Sequence, residues 1–451
     1  MTLEDKYNEM TCSPVKPLVC RLAVPTIIAM VTTALYNVVD AAFIGRLSTG
    51  GTAGIGISFG YMTFIQALGF FFGHGSGNFI SRALGAKDAS SASVVASVGV
   101  VTPLILGLLT AVVCLPNLSA LSRLLGATPD VVPYANDYLR YIVAATPFMM
   151  AALTLNNQLR LQGNARFAMI GIVSGAVINI ALDPLFIFVL GMGIKGAATA
   201  TILAQFISLV WQFKLLSNKD EMLHLHRGIY GLRPDIIRQI IAIGMSPFLM
   251  NLCACLVVLF INKGMKQYGG DTAIAAYGIV NRVVFLFLMM VMGLNQGMQP
   301  IVGYNWGARQ NPRVWKTLRL TIACAEAVVI TGFVMGEFFP NALTHLFTDN
   351  ASIVRIADRG FRIDVSVFPI VGAQMVIGNF FQSIGHAGKS IFQSLTRQLL
   401  FLIPGLILLP PHFGLDGVWL AIPVSDVLSF FVSLSMLWWL VRKVNGREGG
   451  A

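Results

Sequence analysis

The segment RALGAKD at residues 82–88 has a counterpart in YNWGAR at residues 304–309, 222 positions further along the chain. The same shift places Gly75 on Gly297. Other residues that coincide under this shift are Pro25 and Pro247, Gly56 and Gly278, Asn157 and Asn379, and Gly163 and Gly385. Similarity at one fixed separation indicates two copies of one structural unit. The repeat therefore predicts a chain of two related halves.

The composition places these halves in a lipid bilayer. Charged residues make up 11% and apolar residues 56% of the 451 residues, and the mean hydropathy is +0.74. A soluble domain typically contains about a quarter charged residues, whereas a helix that spans a membrane needs roughly 20 mostly apolar ones. We therefore predict an all-α integral membrane protein, with twelve transmembrane helices in two six-helix bundles around a central cavity.

Apolar stretches bounded by charged residues or by Pro, Gly and Asn clusters predict the twelve spans. They lie at 22–44, 54–80, 92–115, 134–159, 168–190, 196–216, 240–264, 272–302, 317–339, 361–384, 390–410 and 416–440. Six spans per copy is an even number, so the two copies enter the membrane the same way round, as parallel repeats. We predict an N-terminal lobe over residues 1–217, a cytoplasmic linker over 218–239 and a C-terminal lobe over 240–451.

The net charge of +11 is explained by membrane orientation rather than by nucleic-acid binding. With the N-terminus in the cytoplasm, most of the 31 lysines and arginines fall on the inner side, as the positive-inside rule requires. Both termini are therefore predicted to be cytoplasmic. The six cysteines suggest neither a disulfide framework nor a metal site, and the polar residues 1–16 do not resemble a signal peptide.

The two halves differ at acidic residues inside the predicted spans. Asp40 in the first span has Asn262 as its repeat partner, and Asp183 in the fifth span has Gly405. A carboxylate in mid-membrane costs about 2.5–3.5 kcal/mol on insertion scales. Because the second half lacks these acids, the architecture does not require them. We predict that they are functional, with a structural, hydrogen-bonded acid as the alternative.

Helical spacing brings further oxygen atoms close to these two aspartates. Asn179 precedes Asp183 by four residues, as Tyr36 precedes Asp40, so each pair lies on one helix face. Pro184 has no N–H to donate and leaves a backbone carbonyl free nearby. Carboxylate, amide, hydroxyl and carbonyl oxygens suit a small monovalent cation, and a desolvated carboxylate can equally hold a proton. The spacing leaves both uses open.

Taken together, these motifs resemble the multidrug and toxic compound extrusion (MATE) family, in the branch of MepA-like and DinF-type members. The matching features are Pro25 followed by Asp40, GFFFGHGSGN at 69–78, RALGAKD with its echo YNWGAR, NNQLRLQGNAR at 156–166 and NIALDP at 179–184. The resemblance covers essentially the whole chain. It implies a prokaryotic inner-membrane protein that exports organic cations and amphipathic drugs in exchange for inward-moving H⁺ or Na⁺, without a further cofactor and as a monomer.

The resemblance also implies a cation-coupling site in the first lobe and a hinge at Pro25. The implied site residues are Asp40, Asn179, Asp183, Thr201, Tyr138 and Asn156, with Tyr141 and Asn157 as alternatives to the last two. A Na⁺ ion would take Asp40, Asn179, Asp183 and Thr201 as its ligands. Whether Glu326, Asp364 or Asp426 form a second-lobe site stays open.

Methionine is an adaptable side chain and aromatic faces attract cations, which suits a cavity for varied cationic drugs. The residues predicted for this cavity are Tyr36, Asn37, Met149, Met150, Phe64, Met289 and Met292. His74 lies among glycines in span two, and close packing through Gly69-x-x-x-Gly73 is favoured over a proton relay there.

Two other functions are weighed against drug export. A lipid-linked glycan flippase is the alternative, but such a protein is expected to line its cavity with basic groups for pyrophosphate, and few lysines or arginines lie inside the spans. An enzyme is not expected, because the sequence contains no His-Glu-x-x-His motif, no Gly-x-Ser-x-Gly elbow and no P-loop.

Overall fold

The computed structural model describes residues 3–44, 49–216 and 234–448, and these residues are almost entirely helical. In chain order the helices are α1 (Leu3–Cys12), α2 (Val15–Ile44), α3 (Thr49–Gly85), α4 (Ala89–Cys114), α5 (Leu118–Leu124), α6 (Val132–Leu161), α7 (Ala165–Pro184), α8 (Ile194–Leu216), α9 (Pro234–Gly307), α10 (Asn311–Phe338), α11 (Pro340–His345), α12 (Ala351–Val365), α13 (Phe368–Ser383), α14 (Ala387–Leu395), α15 (Ile403–Leu408), α16 (Pro410–Phe413) and α17 (Leu415–Glu448). A 3₁₀ turn at Leu115–Asn117 follows α4, and π-helical turns at Leu185–Val189 and Thr396–Leu402 follow α7 and α14.

The described helices account for the twelve predicted spans. Ten helical segments are long and apolar enough to cross a bilayer, one of them formed by α14 to α16 together. The pair α12 and α13, with a bend of 54° between them, makes eleven. The 74 residues of α9 would extend about 110 Å as one rod, far beyond a hydrocarbon core of roughly 30 Å. Gly270, with φ 67° and ψ −163°, divides α9 into two arms, each long enough for a span. The prediction of an all-α protein with twelve spans is confirmed.

The two arms of α9, 234–269 and 271–307, fold back on each other. A Cβ placed on Gly75 of α3 would lie 2.3 Å from the carbonyl oxygen of Ile240, at the start of α9. A Cβ on Gly85 would lie 2.1 Å from the carbonyl oxygen of Tyr304, near the end of α9. Both ends of α9 therefore contact the same end of α3. The first six residues of α9 lie in the predicted linker, and residues 218–233 of that linker lie outside the described residues.

Within the first lobe, α3 packs tightly against α6 through glycines spaced four residues apart. A Cβ on any of them would lie 2.4–2.8 Å from a side chain of α6, in the pairs Gly69 with Leu153, Gly73 with Asn157 and Gly77 with Leu161. Such short distances show that the two backbones approach as closely as small residues allow. The predicted contact at Gly69-x-x-x-Gly73 is confirmed and extends one turn further.

The lobes meet where the two repeated segments lie. Gly85 packs on the carbonyl oxygen of Tyr304, and a Cβ on Gly307 would lie 2.1 Å from the carbonyl oxygen of Arg82. These two contacts coincide under the shift of 222 residues, so each is the counterpart of the other about a pseudo-two-fold axis. The turns that follow these glycines are also alike. Lys87 and Arg309, each two residues after its glycine, both have a positive φ, at 60° and 58°.

Helix α1 covers this joint and contacts both lobes. Met10 is fully buried, and its carbonyl oxygen accepts hydrogen bonds from Asn305 at 3.0 Å and Arg313 at 3.3 Å, both in the second lobe. Its side chain packs on Gly163 of the first lobe, where an added Cβ would lie 2.2 Å from the methionine methyl group. The polar N-terminal segment is therefore a structural bridge between the lobes.

Candidate functional site

The acidic residues of the first lobe come together between α2 and α7. Asp183 is fully buried, Asp40 is partly buried, and their carboxyl groups lie within hydrogen-bonding reach of each other. Among the described residues, Oδ1 of Asp183 has no hydrogen-bond donor. Two ionised carboxylates this close in a desolvated site repel each other strongly. The pair therefore suits one proton or one small cation held in common.

Asn179 links this pair to α8. In the orientation that satisfies both ends of its amide, the nitrogen donates to Oδ2 of Asp183 at 3.0 Å. The amide oxygen accepts from the backbone N–H of Thr201 at 3.2 Å. Both Asn179 and Thr201 are at least 97% buried. The four-residue spacing of Asn179 and Asp183 thus places them on one face of α7, as predicted.

Two tyrosines complete the cluster. The hydroxyl groups of Tyr36 and Tyr138 both lie within hydrogen-bonding reach of the Thr201 side chain. The Tyr138 hydroxyl also donates to the sulfur of Met62 at 3.4 Å. Tyr36 was predicted as a cavity residue, and the structure places it beside the carboxyl pair. We refer to Asp40, Asp183, Asn179, Thr201, Tyr36 and Tyr138 as the carboxyl cluster.

Asn156 is a predicted site residue that the structure does not bring to the carboxyl cluster. It follows Tyr138 by 18 residues on the same helix, which corresponds to about 27 Å along the axis. Its amide donates to the carbonyl oxygen of Ala168 at 2.8 Å, which ties α6 to α7. The alternative, Asn157, packs on Gly73. Neither asparagine is in position to serve this cluster in the described conformation.

The predicted cavity residues Met149 and Met150 lie in the packed core of the first lobe. Met149 is 7% exposed and Met150 is fully buried. A side chain without accessible surface cannot line a cavity for a drug. In this conformation α6 positions both methionines for packing, and Met150 has no accessible surface toward a cavity.

The other predicted cavity residues have more open surroundings. Phe64 is 46% exposed, and its ring centroid lies 6.5 Å from that of Phe248 in the second lobe. Met289 and Met292 are partly buried on the second arm of α9. The side chain of Asn37 lies outside the described residues. Phe64 therefore faces the opposite lobe.

Buried acids in the second lobe have local partners. Asp426 accepts a hydrogen bond from Nε of Arg397 at 2.6 Å, and Asp364 is buried close to both charges. Glu326 accepts from the backbone N–H of Ala373 at 2.6 Å. In the first lobe, by contrast, no lysine or arginine of the described residues forms an ion pair with the carboxyl cluster.

Pro25 lies inside α2, which continues as a helix to Ile44. Proline cannot donate the usual hydrogen bond to the preceding turn, so the helix is weaker at this point. The hydroxyl of Thr26 lies 2.7 Å from the carbonyl oxygen of Gly293 in α9. The weak point of α2 therefore coincides with a contact between the lobes. A hinge at Pro25 stays a prediction.

Arg160 is a functional candidate that directly follows the fourth predicted span, 134–159, where a basic residue is expected to mark the inner side. It is 2% exposed and lies between the lobes. One guanidinium nitrogen donates to the carbonyl oxygen of Gln296 at 3.2 Å and to the side chain of Gln299 at 3.0 Å, in the second lobe. The other contacts Nε2 of His74 at 3.0 Å and the side chain of Asn157, in the first lobe.

His74 thus does more than fill space between glycines. It is 91% buried, its ring stacks on Phe70 at 5.6 Å, and its contact with Arg160 places it in the network between the lobes. The repeat contained a signal for this network, because Arg160 falls on Gln382 under the shift of 222 residues. A charged residue in only one copy indicates a role beyond the shared architecture.

Comparison with known proteins identifies the family. The family model described as MatE matches residues 25–185 and 242–407, one segment in each half of the chain. The chain belongs to the MATE family. It is a multi-pass membrane transporter and not an enzyme.

Two bacterial relatives of this MATE transporter match over nearly the full length of the chain. The multidrug export protein MepA of Staphylococcus haemolyticus (strain JCSC1435) is 27% identical over 424 residues, which cover 94% of this chain and 93% of that protein. MepA of Staphylococcus aureus (strain MSSA476) is 24% identical over 429 residues, which cover 95% and 94%. A solved structure described as the outward-facing conformation of a multidrug resistance MATE family transporter aligns with a TM-score of 0.91 at 26% identity, over 98% of each chain. The similarity confirms the fold.

Proposed function

We propose that this MATE transporter is a multidrug efflux antiporter. It exports organic cations and amphipathic drugs in exchange for H⁺ or Na⁺, and the coupling cation binds to the carboxyl cluster of the first lobe. The observation that carries this proposal is the pair of Asp40 and Asp183, which touch in a buried site that no described lysine or arginine neutralises. The similarity to multidrug export proteins supports drugs as substrates.

The residues of the cluster suit either coupling ion. A proton shared by Asp40 and Asp183 would be supported by the amide of Asn179, which donates to Asp183 at 3.0 Å. A Na⁺ ion would find hard oxygen ligands in the two carboxylates, the Asn179 amide and the Thr201 hydroxyl. To act as a ligand, the Asn179 amide would have to turn its oxygen toward the carboxylates. The orientation of the Asn179 amide is therefore expected to differ between bound H⁺ and bound Na⁺.

The closed joint between the lobes fits alternating access. Glycine contacts, α1 and Arg160 hold the lobes together at the end that carries Arg82 and Arg309. The distribution of lysines and arginines assigns this end to the cytoplasm. Drug would load when this joint opens and would leave on the opposite side when it closes. Cation binding beside α2 would be transmitted to the joint through the segment around Pro25.

The test is efflux of ethidium from proteoliposomes that contain the purified transporter, with the gradients of H⁺ and Na⁺ imposed separately. We expect Asp40→Asn and Asp183→Asn each to lower efflux to the level of protein-free liposomes, because an amide cannot take up the proton or replace the negative charge. The matched control is Asp137→Asn, whose carboxylate is exposed and paired with Lys195 at 3.4 Å.

The control should transport like the unmodified protein. Retention of gradient-driven efflux by both Asp40→Asn and Asp183→Asn would overturn the proposal. The gradient that drives efflux in the unmodified protein identifies the coupling ion, and the alternative flippase function predicts no ethidium transport with either gradient.

A further inference from the structure

The second lobe contains an open cleft of about 270 Å³ at its surface, lined by Lys389 of α14 and by Ser435, Met436 and Trp439 of α17. The ammonium group of Lys389 lies 3.6 Å from the ring centroid of Trp439. It is shielded from solvent and has no hydrogen-bond partner among the described residues. The aromatic ring attracts the ammonium but supplies no counter-charge, so this lysine is poised for an anion.

Further positive charges lie near the cleft, on the same helix as Trp439. The ammonium of Lys443 lies 4.9 Å from the same Trp439 ring, so one indole ring is shared by two cations. The guanidinium of Arg442 lies 3.6 Å from the ring of Trp438. Among the side chains that the structure describes, no carboxylate forms an ion pair with any of these three cations. The like charges repel each other, and an anion in the cleft would relieve that repulsion.

The cleft lies at the closed end of the molecule. Arg82 of α3 donates to the carbonyl oxygen of Ser383 at 3.1 Å, just before α14 begins. His386 follows, and burial together with the positive charges of Lys389, Lys443 and Arg82 lowers its pKa. The end that the charge distribution assigns to the cytoplasm is thus strongly electropositive here.

Two tryptophans mark the depth of the cleft in the bilayer. Trp438 and Trp439 are 56% and 48% exposed, near the end of the last span. Exposed tryptophans near the ends of spans are typical of the interface between lipid tails and headgroups. Basic pockets between helices on the cytoplasmic side are a recurrent kind of lipid headgroup site. The architecture does not require this lysine, because Phe167 is the repeat counterpart of Lys389.

We propose that this cleft binds the phosphate group of an anionic phospholipid from the inner leaflet. Lys389 and Lys443 contact the phosphate, Arg442 adds charge at the rim, and the two tryptophans pack against the upper part of the lipid. The inference is independent of the proposed drug transport, because lipid binding is measured without a substrate.

The test uses the full-length transporter in detergent and counts bound lipids by native mass spectrometry during titration with phosphatidylglycerol or with phosphatidylcholine. We expect tighter binding of phosphatidylglycerol, and we expect Lys389→Ala and Lys443→Ala each to weaken it about fivefold, which corresponds to roughly 1 kcal/mol per basic residue. Lys389→Arg should retain binding. Lys316→Ala is the matched control, because Lys316 is an exposed lysine of α10 that forms no ion pair with the described residues.

Three results would overturn the proposal. Equal binding by Lys389→Ala and the unmodified protein would show that the cleft does not hold the lipid. An equal loss in Lys316→Ala would show a general attraction of basic surface to anionic lipid. The third result has two parts: millimolar inorganic phosphate displaces phosphatidylglycerol, and phosphate alone stabilises the protein. The cleft would then be a site for free phosphate.

Discussion

Asp183 and Asp426 are both carboxylic acids buried in spanning helices, but their surroundings differ. Asp426 is paired with Arg397 at 2.6 Å, which makes it a compensated charge. Asp183 faces another carboxyl group and an amide. Breaking the first pair would leave an unpaired buried charge, whereas the second site would change its charge when the proposed coupling cation enters or leaves. The local partner therefore decides which buried acid can take part in a cycle.

At the same scale, Thr201→Val should weaken cation coupling without disturbing the fold. The change removes the hydroxyl that lies near Tyr36, Tyr138 and Asn179, and it keeps the shape of the side chain. A lost hydrogen bond of about 0.5–1.5 kcal/mol corresponds to roughly a two- to tenfold higher cation concentration for half-maximal efflux. The measurement is ethidium efflux in proteoliposomes at graded concentrations of the coupling cation.

Thr199→Val is the control for this experiment. Its hydroxyl bonds to the carbonyl oxygen of Lys195, one turn back in the same helix, at 2.7 Å. The same cation dependence in both variants would show that the Thr201 hydroxyl does not support the site.

Sequence reasoning identified Asp40, Asn179 and Asp183 because the cost of a carboxylate in lipid and the four-residue spacing are properties of the chain itself. It could not show that Asn156 lies away from these residues in this conformation, because the position of a residue along α6 relative to the neighbouring helices depends on tertiary packing. Arg160 was hidden for the same reason. A basic residue near the end of a span has the same sequence signal whether it faces the cytoplasm or another lobe.

At the scale of helices, the first lobe is held together by the close contact between the glycines of α3 and the side chains of α6. Gly73→Ala should lower stability by about 1–3 kcal/mol, because the new Cβ would lie 2.8 Å from the Cβ of Asn157 in a closely packed interface. Gly56→Ala on the same helix is the control, since nothing lies within 4 Å of its Cβ position. Alanine also favours the helical state over glycine by up to about 1 kcal/mol.

The measurement is the midpoint of thermal unfolding in detergent, followed by loss of the monodisperse peak in size-exclusion chromatography. We expect a lower midpoint for Gly73→Ala and an unchanged or higher one for Gly56→Ala. Equal midpoints for the two variants would contradict the close contact between α3 and α6.

Span positions followed from hydropathy, but helix irregularities did not. The tenth span was predicted at 361–384, and the structure forms it from α12 and α13 with a bend of 54°. Pro369, the second residue of α13, cannot donate to the preceding turn and favours a new helix start. The π-helical turn after Pro184 was also missed, because hydropathy does not distinguish an α-turn from a π-turn.

At the scale of the whole molecule, the two repeated segments form a symmetric contact between the lobes. Gly85 and Gly307 each lie on a backbone carbonyl oxygen of the opposite lobe, so an alanine at either position cannot be accommodated by moving a side chain. Gly85→Ala and Gly307→Ala should therefore disfavour the conformation in which this end is closed. We expect several-fold faster hydrogen–deuterium exchange in peptides that cover residues 78–88 and 300–310.

Gly278→Ala tests whether any glycine of α9 would have this effect, because nothing lies within 4 Å of its Cβ position. Its exchange should match that of the unmodified protein. Unchanged exchange in both joint variants would show that these contacts do not hold the lobes together.

The carboxyl cluster also has an electrical consequence. In the proposed antiport, two carboxyl groups that share a single cation would carry one positive charge inward per cycle. Exchange for a monovalent drug then moves no net charge, so the membrane voltage neither drives nor opposes it. For a neutral drug the cycle is electrogenic, and the voltage contributes about 2.3 kcal/mol per 100 mV. A divalent drug would leave against the voltage by the same amount, so the charge of the drug sets which part of the electrochemical gradient powers its export.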